Sequence, residues 1–365
     1  VQKISKPGLV ASNHKDFSLA LNQGFDYREQ VDRAGAGVTV LAYLSKRYRH
    51  STEAQWLDRI EEGRVLLDGL VPDPGAELRA GQWLVWRRPP WNEPDVPLCF
   101  AVLYEDEDLL GVAKPGGLPT VPAGGFMDHT LLALVRKRYP EATPIHRLGR
   151  GTSGVVLFAR TARARSALTA ALRAGEIVKV YRALACGRPG REVFSIDSRI
   201  GQVTHSVLGT VHAACKQGKR AVSRVRVLEY RGKNSLLEVQ IETGRPHQIR
   251  IHLAAAGYPL VGDPLYCAGG GIRDQEKALP GDLGYALHAE GFIIRHPATG
   301  TVLQISCAPP PELRVNLAPS CRHMAGDFQL NCGTAIDHDP ILSPGGVYEI
   351  ERTRVDPCSS RGPAK

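Results

Sequence analysis

Hydrophobic and polar positions along this chain follow two rhythms, one helical and one alternating. Val38, Leu41, Leu44 and Tyr48 recur at helical spacing, and Thr52 is placed to cap a second helix that carries Trp56 and Ile60 and stops at Gly63. Short β-like runs follow at 65–67 and 83–86, with a turn at Asp68-Gly69. The Pro-rich run 87–94 ends this small module and reads as a linker. Beyond it, strand-like runs at 98–104, 109–113, 155–159, 178–185, 221–230 and 236–241 mix with helical patterns at 129–139, 161–174 and 247–256. Gly175 and Gly257 stand where the last two helices should end. Strands in tandem with a few helices predict an α+β fold with a mixed, mostly antiparallel sheet, not a doubly wound one. The expected organisation is an N-terminal arm over 1–30, a module over 31–91, a main domain over 96–310 and a tail over 318–365.

The chain has 365 residues, 43% of them hydrophobic and 23% charged, the composition of an ordinary globular protein. That excludes collagen, a coiled coil and wholesale disorder. No window approaches a membrane span, and residues 1–30 carry polar groups throughout with no secretory apolar core. The cytoplasm is therefore the expected location, with no membrane partner. Eight scattered cysteines without a C-x-x-C pair read as small buried hydrophobes, and the Cys and His residues of the tail lack the paired spacing of a metal site. No metal is expected.

Charge changes the picture more. The formal net charge is +9, and residues 131–185 hold eleven basic side chains against Glu141 and Glu176. Such a stretch is either a solvated basic face or the footprint of a polyanion site.

Three segments concentrate polar chemistry. The first is His146-Arg147-Leu148-Gly149-Arg150-Gly151-Thr152-Ser153-Gly154, a basic, glycine-punctuated loop running into a buried strand. Its glycines permit positive φ and close approach of a ligand, and its arginines can meet phosphate or a base plane. It lacks the G-K-[ST] ending of a P-loop and reads equally as a structural turn. The second is Thr243-Gly244-Arg245-Pro246-His247-Gln248-Ile249-Arg250-Ile251-His252, two arginines and two histidines at a helix start. It is an anion site or a place where His247 and His252 are satisfied core residues. The third is Lys179-Val180-Tyr181, where Tyr181 either stacks a base or is an ordinary strand aromatic.

Taken together and in order, these segments resemble the RluA-type RNA pseudouridine synthases. Val112-Ala113-Lys114-Pro115-Gly116-Gly117-Leu118 is similar to that family's V-x-K-P-x-G-L turn, and 146–154 to its H-R-L-D-x-x-T-S-G loop. Residues 179–181 are similar to its K-x-Y strand, and 243–252 with 259–266 to its T-G-R-x-H-Q-I-R-x-H…P-L-x-G-D-x-x-Y block. Residues 287–289 and 296–300 are similar to its L-H-A…H-P-x-T-G close. The module over 31–91 resembles the S4-like RNA-binding module that often precedes this domain.

The resemblance implies isomerisation of a uridine in ribosomal or transfer RNA by a monomer, with no cofactor. By the same resemblance the catalytic candidates are Arg147, filling the gap left by a flipped base, Tyr181, stacking on the uracil, and Arg250, pairing with a catalytic carboxylate. His146, Arg150, Thr152, Ser153, Lys179, Arg245, His247, Gln248 and Lys114 are expected to contact RNA. One departure stands out: the family's catalytic Asp is Gly149 here. Three readings follow. Another carboxylate, with Glu242 and Asp263 as candidates, takes the role; the chain is a catalytically inactive RNA binder or folding factor that uses the same cleft; or the reaction takes another route. A buried Arg250 without an acid is a costly unpaired charge, so the sequence predicts an acid, water or phosphate beside it.

Overall fold

The computed structural model describes residues 9–11, 21–48, 50–206, 208–273, 281 and 283–316. The expected tail over 318–365 lies outside them, as does most of the expected arm.

Strand β1 (Leu9–Ala11) pairs antiparallel with 99–101 at the rim of the large sheet. The N-terminal module then consists of β2 (Phe25–Gln30), α1 (Val40–Arg47), α2 (Glu53–Glu61), β3 (Val65–Leu67) and β4 (Trp83–Arg88), with strand order β2-β4-β3. Thr39 caps α1, while Thr52 and Gln55 form a reciprocal capping box on α2. Trp56, Val40, Leu44, Ile60 and Val65 close a core of their own, each 1% exposed or less. The module therefore begins at Phe25, six residues before the expected boundary. Strand β2 escapes pattern reading because both its faces meet water: Phe25 and Tyr27 on one face are 44% and 39% exposed, and Arg28 and Gln30 on the other are exposed as well.

The Pro-rich run is anchored to the main domain. The indole of Trp91 donates to the Gly125 carbonyl at 2.7 Å, and the Glu93 carboxylate accepts from the backbone N–H groups of Met127, Asp128 and His129 at 2.8–2.9 Å.

The main domain contains β5 (Cys99–Glu105), β6 (Leu109–Lys114), α3 (Leu131–Arg138), β7 (Thr143–Pro144), β8 (Ser153–Ala159), α4 (Ala162–Ala174), β9 (Val178–Cys186), β10 (Val193–Ile196), β11 (Ile200–His205), β12 (Gly209–Ala214), β13 (Ser223–Arg231), β14 (Asn234–Ile241), α5 (Gln248–Ala255), β15 (Leu287–Arg295) and β16 (Val302–Ser306). Eleven strands form one sheet in the order β1-β5-β6-β8-β15-β9-β14-β13-β10, with β7 on β8 and β16 on β15. Only the β8–β15 pair is parallel among these pairings; the fold is α+β, as expected. Strands β6 and β8 lie in its interior and are buried along almost their whole length. Helix α4 starts at a Thr161 cap and ends at Gly175 in the left-handed region, as its sequence requires. Among the described residues no helix is long and apolar enough to cross a membrane.

The basic stretch is more neutralised than its composition suggests. Arg160 meets Glu141 at 2.8 Å, Arg163 meets Asp108 at 3.4 Å, and Arg182 meets Glu290 at 2.5 Å. Two of those acids lie outside the stretch, so a count along the chain overstates the free charge. The described cysteines (Cys99, Cys186, Cys215, Cys267 and Cys307) are free thiols of intermediate burial, less enclosed than expected.

Candidate active site

The sheet brings the polar segments to one place. Tyr181 on β9 pairs in register with Ala289 on β15, and Ala289 pairs with Gly154 at the start of β8. The loop 146–152 therefore ends two strands from Tyr181, about 10 Å across the sheet at ordinary strand spacing. Helix α5 is linked to the same loop through Tyr285, whose ring lies on Arg250 and whose hydroxyl meets Thr152.

Several bonds fix the loop. The Thr120 hydroxyl donates to the Leu148 carbonyl at 2.9 Å and accepts from the Leu148 N–H at 3.2 Å. The Arg150 carbonyl accepts from the Gly117 N–H at 2.8 Å and from Lys114 Nζ at 3.2 Å. Lys114 Nζ also donates to the carbonyls of Pro115 and Leu118 at 2.8 and 2.6 Å. Three carbonyls match the three donors of an ammonium group. Lys114 is 0% exposed, and burial draws its pKa down to about 7. Its expected contact with RNA is thus corrected: the side chain ties two turns together and has no surface left for phosphate.

His146 is likewise engaged. Its Nε2 accepts from the Leu157 N–H at 3.1 Å and its ring stacks on Phe292, centroids 4.6 Å apart. Burial, helped by the Lys179 charge, lowers its pKa to about 3, so the ring is neutral. Thr152 is buried, with its hydroxyl 3.2 Å from that of Tyr285, and Ser153 Oγ lies 2.9 Å from His288 Nδ1. Lys179 is buried too, and burial lowers its pKa. Arg147 and Gly149 are exposed, while the half-buried Arg150 donates from Nε to the Gly281 carbonyl at 3.2 Å. Tyr181 is 7% exposed, and burial raises its pKa.

The start of α5 is saturated from within. Gln248 Oε1 accepts from the Thr243 hydroxyl and the Arg245 N–H at 2.7 and 3.1 Å; its amide nitrogen donates to the Val222 carbonyl and Ser223 Oγ at 2.9 and 3.1 Å. These four bonds make Gln248 a buried brace, a correction to its expected place on the RNA. Arg245 Nε donates to the Arg220 carbonyl at 3.0 Å. His252 is a core histidine, its two nitrogens on Ser223 Oγ and the Ser198 carbonyl. His247, in the left-handed region at φ 54°, keeps more freedom. The Tyr266 hydroxyl gives its proton to the His212 carbonyl, so His247 Nδ1 must donate to Tyr266, at 2.9 Å, leaving Nε2 as an acceptor. Burial, with the nearby charges of Arg250 and Arg147, lowers the pKa of His247 to about 4.

Of the acid, water or phosphate expected beside Arg250, the structure shows an acid, Asp263. Arg250 Nε and Nη2 donate to its two oxygens at 2.7 and 2.8 Å, and the side chains are 3% and 1% exposed. Asp263 also accepts from the N–H groups of Leu265 and Tyr266 at 2.9 and 3.0 Å. Burial alone pushes its pKa up, but the Arg250 bonds and charge, with the two amides, outweigh that and hold it below the usual range. Asp263 is therefore ionised, enclosed and fully bonded. Glu242, the other acid considered, faces Arg220 and Arg224 at 3.4 and 2.8 Å on the far, exposed side of the β13–β14 pair.

Two aromatic residues complete the cluster: Tyr266, which closes the 259–266 motif, and Tyr285, which sequence reasoning missed. Tyr285 packs its ring on the Arg250 guanidinium, 4.2 Å from centroid to Cζ, and Tyr266 lies 4.9 Å from the same group. The sequence signal for Tyr285 is indirect. Gly149 and Gly151 do not adopt positive φ, unlike Gly154 at +109°. What they avoid is contact: a Cβ on Gly149 would stand 2.9 Å from Tyr285 Oη, and one on Gly151 2.9 Å from its Cε1 and Cζ.

An arginine-bearing loop and a buried arginine–carboxylate pair are thus joined through Tyr285, with a buried strand tyrosine two strands from the loop's end. The chain belongs to the RNA pseudouridylate synthase family, whose profile matches residues 108–255. It is 43% identical over 278 residues to an uncharacterized RNA pseudouridine synthase of Synechocystis sp., covering 75% of this chain and 95% of that one. RNA pseudouridine synthase 5 of Arabidopsis thaliana is 38% identical over 324 residues, 74% of this chain and 88% of the relative. Ribosomal large subunit pseudouridine synthase D of Pseudomonas aeruginosa is 36% identical over 293 residues, 75% of this chain and 88% of the relative.

Proposed function

We propose that the protein isomerises a uridine in structured RNA, ribosomal RNA first, to pseudouridine in this cleft. The reaction breaks the N1–C1′ bond, turns the uracil, joins C5 to C1′, and exchanges the C5 hydrogen for one on N1. No electron is gained or lost and no group is imported, so the chemistry calls for neither cofactor nor metal. The observation that carries the reading is that Tyr285 joins the loop bearing the exposed Arg147 to the Arg250–Asp263 pair, with the buried Tyr181 two strands from the loop's end.

In this reading the base leaves its stack, at a cost of about a few kcal/mol, and Arg147 takes its place. Tyr181 offers its ring to the uracil, and Arg250 supplies positive charge where the departing base becomes anionic. His247 Nε2 is an acceptor at the helix start for a ribose hydroxyl or a base N–H. Ribosomal RNA is favoured over transfer RNA because the Pseudomonas relative is named as a ribosomal large subunit synthase. The module over 25–91, read as S4-like, adds RNA contact area, and one chain suffices for the site.

A second reading, an RNA binder that does not isomerise, is favoured by one observation: the carboxylate on Arg250 is 1% exposed and has no access to a ribose. Mapping pseudouridine in total RNA from cells with and without the gene separates the two. A uridine modified only where the gene is present supports the synthase; identical maps support the binder.

A further inference from the structure

We propose that the Tyr285 hydroxyl is the reacting oxygen of this site, standing where a side chain at position 149 would otherwise project. The inference rests on the synthase reading above and adds the group that reading lacks.

Three observations carry it. First, Gly149 and Gly151 have no conformational need to be glycine, and both are explained by one residue: Cβ atoms at these positions would stand 2.9 Å from Tyr285 Oη and from its ring, respectively. The hydroxyl thus occupies the volume beside the exposed turn at Gly149. Second, Tyr285 is held in place. It is 7% exposed, its ring lies 4.2 Å from the Arg250 guanidinium, and its oxygen is 3.2 Å from Thr152 Oγ1. The ring contact and the hydroxyl contact together fix where the oxygen stands. Third, Asp263 is spent on Arg250 and on two backbone N–H groups, so its role is to hold the arginine that faces Tyr285.

Tyrosine is a competent nucleophile at an anomeric carbon, as in glycosidases that use it in place of a carboxylate. The step balances as follows. Tyr285 Oη attacks C1′, the N1–C1′ bond breaks, and the phenolic proton passes to the departing uracil, where it ends on N1. The uracil turns. C5 then attacks C1′, the Oη–C1′ bond breaks, and the C5 proton returns to Oη. The enzyme is restored and the product is an isomer of the substrate.

The test uses the full-length protein and RNA from cells lacking the gene, labelled with tritium at uracil C5. Tyr285→Phe removes one oxygen and nothing else. The expected result is a fall in kcat of at least about 100-fold, with RNA affinity kept within a few-fold. Full turnover by Tyr285→Phe overturns the proposal. Replacing Tyr285 with 3-fluorotyrosine, a more acidic phenol, keeps the shape of the side chain and decides the matter even where the Phe variant folds poorly. It should sustain turnover at a changed rate, because the phenolic proton that passes to the uracil is more acidic; an unchanged rate overturns the proposal. Absence of turnover by the unaltered protein is a different failure: it sinks the synthase reading, and this inference with it.

Discussion

Replacing Asp263 with Asn leaves the shape of the site nearly unchanged and removes one buried charge. In the native protein the carboxylate takes two bonds from Arg250, at 2.7 and 2.8 Å, and two from the N–H groups of Leu265 and Tyr266. With side-chain exposures of 3% and 1%, neither partner can turn to water. An asparagine keeps one acceptor oxygen for the backbone, but its NH2 group then points at the guanidinium, donor to donor. The arginine loses the opposite charge of its buried pair, a change that costs about 3–5 kcal/mol. That is a large share of the ~5–15 kcal/mol stability of a typical domain. Urea denaturation followed by tryptophan fluorescence measures it, with the slope on denaturant unchanged. A loss below about 1 kcal/mol would refute the reasoning, because it would mean that Arg250 finds solvation without Asp263. The pH dependence has a definite sign. Asp263 titrates below its unfolded value, so its contribution is complete above about pH 4 and is lost as pH falls through the lower folded value. The gap between native protein and Asp263→Asn should therefore be widest at neutral pH and close in acid.

Tyr181→Phe should keep RNA affinity within a few-fold and lower turnover about 100-fold, measured by filter binding and tritium release; loss of binding instead would make Tyr181 a structural strand residue. Arg147→Ala, at an exposed position, should leave the thermal midpoint unchanged, reduce turnover, and flatten the salt dependence of RNA binding by about one phosphate contact. An unchanged rate would remove Arg147 from the mechanism. Lys114→Met takes a donor from three carbonyls at a fully buried position and should cost about 2–4 kcal/mol in urea, with RNA affinity lost only as far as folding is. Weaker RNA binding at unchanged stability would return Lys114 to the interface.

Local signals were the legible part of this chain. Thr52 as a cap, Gly175 as a helix end and the Asp68-Gly69 turn each act within a few residues, and each element appears where its signal stands. Strand β2 was hidden because its aromatic residues face water, and the β11–β12 hairpin because its burial alternates only weakly. The site was half legible. The requirement that Arg250 have a partner follows from burial alone, and Asp263 meets it. That Lys114 and Gln248 face inward does not follow from sequence, since polar residues around a cleft look the same whether they meet RNA or brace a turn. Tyr285 was out of reach for a different reason. Its meaning lies in the space it takes from Gly149 and Gly151, more than 130 positions earlier in the chain.

The most direct test of the account is tritium release by the purified full-length protein from RNA carrying tritium at uracil C5, prepared from cells that lack the gene. The isomerisation expels that hydrogen, whereas binding does not. The account predicts label in the water, in stoichiometry with one or a few uridines, and its loss with Tyr285→Phe. RNA bound tightly with no label released would contradict it and leave an RNA-binding cleft without the family's chemistry.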